Sequence, residues 1–247
     1  MTSSGDDALA FHDLDADFDA DLLSRMHREV LVPSFSEDEL DDVETMTRGL
    51  RGEGPVRTLA SVALEGDEVV GGVVGEVYEA EEVLLLAYLA ARPGGRGRGV
   101  GSALLEHVAP RWYPRVRLAV GEVHDPRRWS NVPDEDPVSR LRFYERVGAR
   151  VLGVPFVQPA LDAGGARIEG FLLIAFHVDP GVEVDEDGAA SIRSDVVGRF
   201  VRSYYETAEG AREPYDSQLA RLLERIGEHA TIPLYAIADY DRVPPLP

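Results

Sequence analysis

The chain has 247 residues, 44% of them apolar, and a formal net charge of −20, which argues against a nucleic-acid partner and weakly favours a cationic small molecule. It has no cysteine and no lysine, so disulfides, thiolate metal sites, a cysteine nucleophile and a lysine Schiff base are all excluded. No apolar run approaches the ~18 residues of a membrane helix, and the acidic start is unlike a secretory signal, so a cytoplasmic protein without a membrane partner is expected.

In chain order, residues 8–14 read as a short opening strand. Phe18, Leu22, Leu23, Met26 and Val30 recur at helical spacing. Ser36 and Glu39 form a capping-box pattern that predicts a second helix carrying Leu40, Val43, Met46 and Leu50. Val56–Leu64 and Val69–Tyr78 read as strands around a tight turn at Gly66. An apolar strand, Val83–Ala91, precedes a glycine loop and a helix to about residue 110. Arg115–Val123 reads as a strand, the proline-bearing stretch 125–137 as a loop, and Pro137–Val147 as a helix ended by Gly148. Val151–Val157 and Phe171–Val178 read as strands.

The acidic run Asp179–Gly188 reads as a linker. Two amphipathic helices follow, one carrying Ile192, Val196, Phe200, Val201 and Tyr204, the other Tyr215, Leu219, Leu222, Leu223 and Ile226. A short apolar run, Ile232–Ile237, comes after them. The order predicts an α/β (α+β) domain over residues 1–180, with a mixed, mostly antiparallel sheet flanked by helices. Residues 181–247 are expected to form a linker and a helical extension packed on that domain.

The chemistry concentrates in Arg96-Gly97-Arg98-Gly99-Val100-Gly101, between an apolar strand and a helix. A helix N-terminus presents unpaired N–H groups and partial positive charge, and glycines let the backbone approach an anion closely. A P-loop needs a lysine that this chain lacks. A dinucleotide fingerprint fits Gly97-x-Gly99-x-x-Ser102 nearly, with Glu122 placed for a ribose contact. Several strands precede this loop, however, and the alternating units of a doubly wound sheet are missing.

Two blocks together resemble the GNAT acyltransferase superfamily. The first is Arg96-x-x-Gly99-x-Gly101, flanked by Leu89, Ala91-x-Pro93 and Ser102-Ala103-Leu104-Leu105. The second is Arg142-Phe143-Tyr144-Glu145-Arg146-Val147-Gly148-Ala149. The resemblance covers about residues 8–178 in element order and leaves the tail outside. It departs from the family at Pro137 and Arg140, where an asparagine and an alanine are common; this affects an asparagine contact to the cofactor, not the tyrosine.

The resemblance implies acetyl-CoA as cofactor and acyl transfer to a small-molecule or peptide amine by a monomer or homodimer, with no metal. It implies that the loop (Arg96, Gly97, Arg98, Gly99, Val100, Gly101, Ser102) binds the pyrophosphate. It also implies that Leu89, Ala90 and Ala91 bind the pantetheine arm. Tyr144 is expected to protonate the leaving thiolate. Glu122 is the first expectation for the base, with His124 and Glu76 as alternatives on the acceptor side. Tyr88 is expected beside the acceptor, and Tyr204 and Tyr205 to pack. A coenzyme A-binding regulatory module without catalysis is the second reading.

Overall fold

In the computed structural model of the chain, which describes residues 9–36, 39–95, 97–129, 136–160, 165–186 and 188–245, the residues gather into two units. The first comprises residues 1–77 and 86–112, and the second residues 78–85 and 113–247. Neither boundary of these units falls at residue 180.

In the first unit, β1 (Ala10–Asp13), β2 (Arg57–Glu65) and β3 (Glu68–Tyr78) pair antiparallel, and the second half of β4 (Val83–Ala91) lies beside β3. Three helices cover them: α1 (Ala20–Met26), continued by a π-turn to Leu31, α2 (Val43–Leu50) and α3 (Val100–Trp112). Consecutive strand residues face opposite sides of a sheet. A Cβ at Gly71 would lie 2.4 Å from Val100 Cγ1, and one at Gly72 would lie 2.4 Å from Met26 Sδ. This glycine pair therefore lets α3 seat against one face of β3 and α1 against the other. Leu23, Met26, Val30 and Leu31 pack with Ala60, Val62, Val74 and Tyr88 as the core of the α1 face.

In the second unit, β5 (Leu118–His124) pairs parallel with Val83–Leu85 and antiparallel with β8 (Ile168–Val178). β6 (Arg150–Leu152) and β7 (Phe156–Gln158) also pair with β8. β11 (Thr231–Ala236) pairs with β6, and β10 (Ala189–Arg193) links β11 to β9 (Glu183–Glu186). Helices α4 (Pro137–Arg146), α5 (Ser194–Ala208) and α6 (Ser217–Gly227) complete it. The fold is thus a mixed, mostly antiparallel sheet, with the β4–β5 pair parallel, flanked by helices.

Three local expectations change. Ser36 does bond Glu39, its Oγ donating at 2.6 Å, but α2 begins only at Val43, where Asp42 accepts from the Thr45 N–H at 2.7 Å. The strand expected over Val151–Val157 breaks in two at Gly153, whose N–H bonds the Pro233 carbonyl at 2.8 Å. The acidic run is not a linker but contributes β9, an edge strand whose charges replace the apolar alternation of an interior strand.

Candidate active site

In the first unit, β4 hands the chain to the glycine loop and α3. Gly97 and Gly99 both have φ of +84°, a backbone that L side chains rarely adopt. A Cβ at either would meet nothing within 4 Å, so the space over this backbone is open. The Ala103 N–H bonds the Gly99 carbonyl at 2.9 Å, opening the helical ladder. The N–H groups of Val100, Gly101 and Ser102 precede it and have no intrahelical acceptor. No acidic side chain occupies the first turn. These features fit a pyrophosphate. Arg98 bonds Glu65 at 2.7 Å, so its charge is shared rather than mobile. Arg96 lies outside the described residues.

Along β4 the side chains alternate: Tyr88 and Ala90 are buried, Leu89 and Ala91 half-buried. The Tyr88 hydroxyl accepts from the Asp41 N–H at 3.1 Å and donates to the Asp41 carboxylate at 3.2 Å. Phe35 packs edge-on against its ring at 5.2 Å. Burial, then the charge of Asp41, pushes the phenol well above its ordinary value. Tyr88 therefore holds the approach to α2 rather than presenting a free hydroxyl. Glu76 is half-buried on β3 opposite Thr58, within electrostatic reach of Tyr88.

In the second unit, Glu122 and His124 lie on one face of β5, opposite Leu173 and Phe171 of β8. His124 is buried and stacked on Trp129 at 4.0 Å, with Phe171 at 4.5 Å. Glu122 Oε2 accepts from Gln158 Nε2 at 2.6 Å and from the Tyr204 hydroxyl at 3.5 Å. Tyr144 packs on the other face with Val123, between Phe143 at 5.2 Å and Phe176 at 5.3 Å. Burial pushes its phenol above the ordinary value, opposed by the Arg140 charge.

Sequence reasoning did not foresee the contacts of Gln158 and Tyr204 with Glu122, although Tyr204 does pack, as expected, on Phe200 and Tyr78. Neither carries a spacing signal, because each meets Glu122 through the tertiary fold. Asp41 was also missed; its pairing with Tyr88 joins residues 47 positions apart. Among the described residues, no group of three or more His, Asp or Glu side chains is placed to hold a metal ion.

A strand, a glycine turn and a helix N-terminus on a mixed, mostly antiparallel sheet flanked by helices make a GNAT-like fold. Residues 57–148 match the family model described as an acetyltransferase (GNAT) domain. Among solved structures, a GNAT-family protein from Bacteroides thetaiotaomicron is 22% identical with a TM-score of 0.52, covering 69% of this chain and 87% of that one; the likeness is one of fold. The ribosomal-protein-S18-alanine N-acetyltransferase of Escherichia coli is 16% identical with a TM-score of 0.47, over 70% of this chain and 95% of that one. No curated protein matches the chain in sequence. Among the described residues, no helix is long and apolar enough to cross a membrane.

Proposed function

We propose that the chain is an N-acetyltransferase that moves acetyl from acetyl-CoA to a primary amine of a small molecule or peptide by direct attack. The observation that carries this reading is the open backbone at Gly97 and Gly99, both at positive φ, directly before α3. Acetyl-CoA supplies the acyl group as an activated thioester. The N–H groups of Gly97 to Ser102 hold its pyrophosphate. The backbone of Leu89, Ala90 and Ala91 would hold its pantetheine arm, and the Leu89 N–H would serve as a donor to the thioester oxygen.

Free alkylammonium groups have a pKa near ~10.4 and must lose a proton before attack. Glu122 accepts that proton, directly or through water. His124, Glu76 and Tyr88 are proposed as acceptor-side groups. Tyr144 donates a proton to the departing sulfur; its burial keeps it protonated, hence a donor, at neutral pH.

Calorimetry with acetyl-CoA, followed by a thiol-release screen over a broad amine panel, tests the reading. Binding, and coenzyme A release with at least one amine, are expected. The absence of cysteine removes thiol background from the protein. Failure to bind acetyl-CoA at high micromolar concentration would sink the proposal. Normal binding without turnover, unaffected by Tyr144→Phe, would instead indicate a regulatory coenzyme A-binding module.

A further inference from the structure

The segment beyond residue 180 reaches the proposed base. We propose that Tyr204 on α5 and Gln158 on β7 are positioning residues for the Glu122 carboxylate, which makes the C-terminal segment part of the reaction site. The inference rests on Glu122 acting as the base. Both donors lie beyond the matched family segment, which ends at residue 148.

Both donors converge on one oxygen, Oε2, at 2.6 Å from Gln158 and 3.5 Å from Tyr204. Two directional bonds to one oxygen set the rotation of a carboxylate that would otherwise turn about its last bond. The donors are themselves fixed. Tyr204 stacks on Phe200 at 5.6 Å and meets the edge of Tyr78 at 5.9 Å, and all three rings are buried. The adjacent Tyr205 donates to the Val157 carbonyl at 2.6 Å, one residue before Gln158. A single turn of α5 thus supplies one donor and anchors the strand that carries the other. Donors aimed at a carboxylate favour its ionised form, the form able to accept a proton.

The test titrates Glu122 in the full chain by carboxyl ¹³C NMR, its signal assigned by its loss in Glu122→Gln. Losing a donor to a charged group raises the midpoint, by about half a pH unit in Tyr204→Phe and about one unit in Gln158→Leu. Gln158→Met, which keeps the reach of the side chain without the donor, reads the same shift if either variant fails to fold. Tyr215→Phe is the control: its hydroxyl bonds Glu206, so its loss leaves the Glu122 midpoint in place. A midpoint unmoved by loss of either donor overturns the proposal. Acetyl-CoA calorimetry on the wild-type sample separates the two readings. Absence of binding there rejects the acetyltransferase, while the midpoint shifts report on the positioning contacts alone.

Discussion

Tyr144 is wedged between two phenylalanine rings, so Tyr144→Phe keeps the packing and removes only the hydroxyl proposed to donate the proton. With an amine acceptor, kcat is expected to fall by roughly 10²-fold or more, while acetyl-CoA affinity and the melting temperature stay unchanged. Gly99 tests the other half of the chemistry. Gly99→Val forces a branched side chain into a positive φ and over the open backbone, a strain of about 1–3 kcal/mol. Calorimetry should show acetyl-CoA binding weakened by at least about tenfold, or 1.4 kcal/mol. Asp41 offers a pH test. Burial raises its pKa, so the folded value lies above the unfolded one. The protein then binds more protons folded than unfolded, and this group's contribution weakens as pH rises through the folded value. Asp41→Asn keeps an acceptor for Tyr88 without the charge. Urea titrations should show the stability difference moving in the variant's favour from acid to neutral pH.

The seating of α3 depends on Gly71. Its missing Cβ would also lie 3.1 Å from Leu104 Cδ1 and 3.2 Å from the Ala90 carbonyl, so Gly71→Ala must push the helix start or the strand aside. Such overpacking costs about 1–3 kcal/mol, measurable in urea, and acetyl-CoA affinity should fall with it because the loop opens into the displaced turn. The start of α6 carries the opposite pH signature to Asp41. Asp216 caps Gln218 and Leu219, and its bond to Arg167 holds its pKa down to about 2. That contribution is complete above the ordinary value of 3.8 and is lost as pH falls toward about 2. Asn caps equally well, so Asp216→Asn should melt earlier than wild type at neutral pH, with the gap closing through that window. Elements such as β3, β4 and α3 were legible because their patterns are local: apolar runs, a glycine turn, then a 3.6 period. The helix at Ser36 was not, since a capping box can close on itself without a helix behind it, and β9 was not, since an exposed edge needs no apolar alternation.

Across the whole molecule, the two family blocks made the fold legible, because the turn between β4 and α3 needs glycine at fixed positions. The acceptor side was not, because the partners of Glu122 lie 36 and 82 residues away and only the folded sheet brings them together. The expectation of an appendage similarly missed β11, which pairs with β6, and Arg127, whose guanidinium donates to the Asp241 and Val243 carbonyls at 2.9 and 3.0 Å. A chain cut after residue 180 should therefore lose the cooperative unfolding of the second unit by circular dichroism and aggregate, rather than remain a trimmed enzyme. The same late strand also orders events during synthesis. The first unit has all its residues once Trp112 has left the ribosome. The cluster that seats Tyr144 includes Ile237 and Val243, and at ~5–20 residues per second these arrive on the order of ten seconds later. A nascent chain can therefore complete its first unit well before the cluster around Tyr144 is filled.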